Sequence, residues 1–148
     1  MQDVIEQEIS INANLERVWN LVTEPGWWVP TEASVPADRT AGSTTVRTSE
    51  KYGTFPVEVV DMKPQTYAAF RWASQFPNTD LVAGHSTLVE FFVSKAEAGD
   101  GVLVKVRESG FASLDAPEEI RQAGVRDNTE GWQIELGDLK KRSEAAAG

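Results

Sequence analysis

The chain has 148 residues, with 41% hydrophobic and 25% charged residues, a net charge of −9, five Trp and no Cys. The length suits one domain, 1–148, with a sizeable core. The acidic balance argues against nucleic acid or an anionic membrane as partner, since phosphate neutralisation needs a basic surface. Absent cysteine excludes disulfide and thiolate chemistry and fits a reducing cytoplasm.

No apolar run reaches the ~18 residues of a membrane-spanning helix, and MQDVIEQEIS is acidic and strand-like, not the pattern of a signal peptide. From Val4 to Ile11, Ile5, Gln7, Ile9 and Ile11 alternate with Glu6, Glu8 and Ser10, which predicts a strand with one wet face. Asn12-Ala-Asn offers helix caps, and Leu15, Val18, Trp19 and Val22 make a short amphipathic helix that Thr23-Glu-Pro-Gly stops. Trp27-Trp28-Val29-Pro30 is an aromatic knot in an irregular stretch running to Gly42.

Five strands are expected next, at Ser43–Ser49, Thr54–Met62, Thr66–Ser74, His85–Ser94 and Val102–Ser109. Turn chemistry separates them at Tyr52-Gly53, Lys63-Pro64, Gln75-Phe-Pro-Asn and Glu97-Ala-Gly-Asp-Gly. Short connections imply antiparallel pairing, and Pro56 implies an edge or a bulge, since it cannot donate a ladder hydrogen bond. The period of two sends Phe70 and Trp72 to one face, with Arg71 opposite. It likewise groups Val89, Phe91 and Val93, and aims Glu108 inward with Val102, Val104 and Val106 while Arg107 points outward.

Asp115-Ala-Pro-Glu-Glu reads as the start of a short helix that Gly124 ends or bends. A long helix follows from about Val125 to Glu144, roughly 30 Å, with Val125, Thr129, Trp132, Leu136 and Leu139 on one stripe. Gly131 beside the stripe would allow close backbone approach or leave room; Gly137 and Ile134 lie off it, and Ser143–Gly148 would fray. The whole is α+β, a twisted antiparallel sheet of about six strands curling round the last helix.

Several pieces in this order resemble a known family: Ala13 through Trp19, Phe70-Arg-Trp72 after a Pro turn, Glu108-Ser-Gly-Phe111, and Gly131-Trp132 with Leu136 and Leu139. Together they resemble the SRPBCC (START-like, Bet v 1-like) superfamily, in the branch of activator-of-heat-shock-protein-90-ATPase homologues. The resemblance implies a helix-grip fold with a cavity between sheet and C-terminal helix. It also implies small apolar ligands in some relatives, cyclase or aromatase chemistry in a few, and chaperone regulation in others. Eukaryotic co-chaperones of this kind carry an additional N-terminal domain, for which these residues are not expected to leave room.

The candidate ligand-binding residues are Trp28, Phe70, Trp72, Phe91, Glu108, Trp132 and Leu136; the alternative for the aromatics is plain core filling. An inward Glu108 would titrate high and serve as an acid/base or a ligand anchor; the alternative places it at the strand end, in water or paired with an arginine. One histidine, His85, makes no metal site, and no covalent nucleophile or cofactor fingerprint is visible. Three functions follow: a cytoplasmic, non-catalytic binder of a small hydrophobic or aromatic molecule; a cyclase or hydrolase-like enzyme in which His85 or Tyr67 converges on Glu108; or a chaperone-regulating module with an exposed apolar patch near Trp27–Trp28. Oligomeric state stays open, a homodimer included.

Overall fold

The computed structural model describes residues 3–29, 38–79, 81, 84–96 and 101–145. The turn expected around 97–100, the stretch 30–37 and the tail 146–148 therefore lie outside the described residues. Eight elements follow one another: β1 (Val4–Ile11), α1 (Leu15–Val22), β2 (Thr44–Ser49), β3 (Gly53–Lys63), β4 (Tyr67–Trp72), β5 (Thr87–Lys95), β6 (Val102–Ser109) and α2 (Glu118–Ala145). The strands form one curved antiparallel sheet in the order β1-β6-β5-β4-β3-β2. The expected α+β architecture is the one observed.

Each helix has a local cause. Asn14 caps α1, its Oδ1 accepting from the Arg17 backbone N–H at 2.8 Å. Val18 and Val22 bury the apolar side of α1. The turn after it passes through Gly26 at φ +76°, where a Cβ would lie 2.6 Å from Arg47 Cγ. Only glycine suits that position, and the turn delivers Trp27 and Trp28 into the core, 6% and 4% exposed. The exposed patch expected near Trp27–Trp28 is therefore absent, because the chain reverses at Gly26 and buries both rings.

Strand alternation holds except at Ala69 of β4, which is buried along with both of its neighbours, Ala68 and Phe70. Val57, Val59, Phe70, Val89, Phe91, Val104 and Val106 are fully buried, whereas Arg71 and Arg107 face water. Pro56 sits where β3 is paired with β2 alone, since pairing with β4 starts at Val57; the register shift comes later, between Val59 and Asp61. The missing N–H of Pro56 thus falls on a locally unpaired edge.

The last helix corrects two expectations. It is one continuous helix of 28 residues that starts directly after Pro117, and Gly124 does not end it. Gly124 is buried, and a Cβ there would meet the Gln75 side chain at 2.9 Å. Its service is close packing against Gln75, at a propensity cost of about 1 kcal/mol. Nor does the helix fray from Ser143, which is fully buried while α2 continues to Ala145.

Val125, Trp132, Leu136 and Leu139 form the buried stripe expected of them, with Thr129 half-buried. Polar ties lash the rod to β1: Gln7 Nε2 donates to the Thr129 carbonyl (2.7 Å), and Lys140 Nζ to the Ser10 carbonyl (3.0 Å). Arg17 of α1 holds the far end, donating from Nε to the Ser143 carbonyl (2.9 Å) and from Nη2 to the Arg142 carbonyl (2.8 Å).

Nothing lies within 4 Å of the Cβ position at Gly137. Gly137→Ala should therefore recover the helix propensity alone and raise the unfolding free energy by about 1 kcal/mol, measured by urea denaturation.

Candidate functional site

Four elements converge at one end of the sheet. Glu108, near the end of β6, points inward with the valines of its strand and is completely buried. Val89 of β5 stands opposite it in the ladder, and Thr87 of β5 stands opposite Trp72, the last residue of β4. From α2, Asn128 and Trp132 reach the same point, one helical turn apart.

The Glu108 carboxylate accepts four hydrogen bonds, two on each oxygen. Oε2 takes Trp72 Nε1 at 2.9 Å and Thr87 Oγ1 at 2.5 Å. Oε1 takes Asn128 Nδ2 at 3.0 Å and Trp132 Nε1 at 2.9 Å. All four donors are uncharged, so no arginine neutralises the group. Burial pushes the carboxyl above its ordinary value, and the four donors pull against that rise. With its acceptor positions filled, Glu108 is a node that orients two indoles.

Those indoles form part of the wall of a cleft of about 450 Å³. On the sheet side stand Trp28, Phe55 and Trp72, with Tyr52 at the β2–β3 turn and Ser74 and Gln75 beyond β4; α2 closes the other side with Asp127, Asn128, Gly131, Trp132, Ile134 and Glu135. Ile134 and Tyr52 are 62% and 51% exposed, so the mouth meets water. Nothing lies within 4 Å of the Cβ position at Gly131, which leaves room in the cleft and does not bring the helix closer to the sheet. Trp28 anchors the aromatic wall, its ring centroid 5.5 Å from Trp72 and 5.6 Å from Trp132.

The sequence-based candidates divide into wall and filling. Trp28, Trp72 and Trp132 line the cleft, and Glu108 sits directly behind two of them. Phe70 and Phe91 are fully buried in the core, and Leu136 is 3% exposed there; none of the three is part of the lining. The partners imagined for acid/base work do not converge on Glu108. Tyr67 donates its hydroxyl to Glu90 on the outer face (2.6 Å), and His85 stacks on Phe76 with ring centroids 4.3 Å apart.

Sequence reasoning passed over Thr87, Asn128 and Glu135. Thr87 shares parity with Val89 and Phe91, and Asn128 stands on the helix stripe between Val125 and Trp132, so both carried a legible inward signal. Glu135 titrates unusually: burial, and then the neighbouring Asp138, push its carboxyl from 4.5 to about 7, with Arg142 opposing.

A second hollow, about 620 Å³, lies outside between α1 and the end of α2, lined by Arg17, Asn20, Glu24, Arg39 and Arg142 among others. Arg17 is already committed to the carbonyls that hold α2, and Arg39 Nη1 to the Asn20 carbonyl and the Thr23 hydroxyl. It is a polar seam between helices. No helix among the described residues is long and apolar enough to cross a membrane.

A curved antiparallel sheet gripping a C-terminal helix, with an aromatic cleft between the two, is the helix-grip arrangement of the START-like (SRPBCC) superfamily. Residues 12–144 match the family described as "Activator of Hsp90 ATPase homolog 1-like protein", and the chain belongs to that family. Among solved structures, DynU16, described as a putative protein in the dynemicin biosynthetic locus, superposes with TM-score 0.72 at 20% identity over 99% of this chain and 49% of its own. The Aha1 dimer from Colwellia psychrerythraea gives 0.69 at 16% identity, covering 99% of this chain and all of its own. Protein MLL2253 from Mesorhizobium loti gives 0.69 at 18%, covering 93% and 94%. At these identities the likeness is one of fold. No curated protein matches the sequence significantly.

Two predictions test the site. In Glu108→Gln the new amide must face one pair of donors. The Thr87 hydroxyl can turn to accept and the Asn128 amide can rotate, but an indole N–H cannot accept. One tryptophan N–H then loses its partner, at a cost of about 1–3 kcal/mol, visible in denaturant unfolding and as a shifted indole N–H resonance. For Glu135 the sign follows from its raised value: the folded chain holds that proton more tightly than the unfolded one. Its contribution to stability is thus complete below pH 4.5 and lost as the pH rises to about 7. Glu135→Gln should match the parent at acid pH and be the more stable of the two at pH 8, read by urea unfolding across the range.

Proposed function

We propose that the chain, as a single domain, binds a small hydrophobic or aromatic molecule in the cleft walled by Trp28, Trp72 and Trp132, and releases it unchanged. The observation that carries this reading is the unfilled space at Gly131, beside the Trp132 indole and across the cleft from those of Trp28 and Trp72. An apolar cleft with a few placed polar groups is the usual form of a small-molecule site. Burial of a guest against such walls would contribute roughly 25 cal/mol per Å² of apolar surface. Glu108 serves this reading as the support of the wall: it is covered by the indoles it holds, which leaves the acid/base alternative without an accessible proton. Cytoplasmic residence suits a chain without cysteine.

The test pairs native mass spectrometry of protein purified from its own host with tryptophan fluorescence titration against a panel of apolar compounds. A retained small molecule, or quenching by at least one compound, is expected. Gly131→Leu places a side chain in the cleft without touching the core, so it should fold at least as stably as the parent and lose the response. A flat titration across the panel, with no retained molecule, overturns the reading. The Colwellia relative is described as a dimer, and the native mass in the same spectra tests whether this chain dimerises.

A further inference from the structure

Resting on that reading, we propose that the guest is an organic cation, an aromatic or alkyl ammonium held over the indole faces and against the carboxylates of Asp127 and Glu135. The argument begins with charge. Two acidic side chains line the cleft, and no Lys, Arg or His does so among the described residues. The rest of the wall includes five aromatic residues, Trp28, Tyr52, Phe55, Trp72 and Trp132. A cation gains from the negative faces of such rings, most of all from indole, and gains more as water is excluded.

The alternatives fit less well. An anion would meet two carboxylates and no compensating charge. A neutral apolar guest would cover Glu135, already half-buried, and desolvate it further without return. Glu135 makes no ion pair among the described residues, whereas Asp127 has only a loose contact with Arg126 at 3.6 Å between two well-exposed side chains, an arrangement of small worth. A bound ammonium would supply the charge that Glu135 lacks.

The titration of Glu135 agrees with this assignment. Asp138 and Arg142 act on it from its own helix, Asp127 lies two turns back, and across the cleft stands Tyr52, with the Lys51 ammonium 5.2 Å from its ring centroid. With a value near 7, Glu135 is partly protonated at neutral pH, and an incoming cation should draw it to the ionised form with release of a proton.

Three probes separate the possibilities: phenyltrimethylammonium, its neutral isostere tert-butylbenzene, and 4-tert-butylbenzoate, which adds a carboxylate to the same neutral frame. Affinities are measured by calorimetry, and the indole N–H resonances report whether the cleft is the site. The cation should bind about tenfold more tightly than the neutral isostere, the benzoate most weakly, and the cation's affinity should rise between pH 6 and pH 8. In the double variant Asp127→Asn/Glu135→Gln the preference and its pH dependence should collapse, with tert-butylbenzene binding at least as tightly as to the parent because no carboxylate is left to desolvate. Equal or tighter binding of the neutral isostere overturns the cation assignment and leaves the apolar cleft standing. A preference that survives in the double variant also overturns it. Failure of all three probes to bind overturns this inference together with the reading beneath it.

Discussion

A carboxylate stripped of water and held by four uncharged donors is the constraint on which the site depends. Moving such a group out of water costs several kcal/mol, and Glu108 tolerates it because Trp72, Thr87, Asn128 and Trp132 fill both of its oxygens. The donors come from β4, β5 and α2, so one residue of β6 sets the relative position of three elements. It also fixes where the two indole N–H groups sit, and both residues line the cleft. An apolar residue at position 108 would still fill space, but it would leave both tryptophans free to rotate. The polar group thus gives the wall its shape, which dispersion alone does not specify.

Much of this arrangement was written in residue spacing. Alternation along 102–108 aimed Glu108 inward, and the four-three spacing from Val125 to Leu139 identified the face of the last helix that is buried. Spacing also held Thr87 and Asn128 in view, since each shares a face with buried neighbours. It did not separate wall from filling. Phe70 and Trp72 stand on the same face two residues apart, yet the first is enclosed and the second, the last residue of β4, lines the cleft. Where along a strand the filling stops is not carried by a period of two.

Glycine was the other limit. Gly26, Gly124 and Gly131 look alike in a sequence, and the structure assigns them three different tasks. Gly26 reverses the chain at positive φ and sends Trp27 and Trp28 inward, Gly124 lets α2 press on Gln75, and Gly131 leaves space that nothing occupies. Which task applies depends on the side chain that comes from far along the chain to meet it. The aromatic patch expected at Trp27–Trp28 failed for that reason: the position of Arg47 beside Gly26 lies outside any local pattern.

Two stretches of α2 then divide the labour. Leu136, Leu139 and Ser143 are sealed, and the carbonyls near the last turn are gripped by Arg17, so that half serves stability. Between Asp127 and Glu135 the same helix borders water, carries Trp132 and both cleft carboxylates, and includes the vacancy at Gly131. Apolar walls reward any guest in proportion to the area buried and discriminate weakly between shapes of equal size. Selection in this cleft therefore falls to its polar margin. There Glu135, raised by burial and by Asp138, is the group whose charge a guest can change. A helix anchored at its C-terminal end and bordering the cleft along its middle holds that margin in register with the indole wall, which is what a rim must do if it is to distinguish guests by charge.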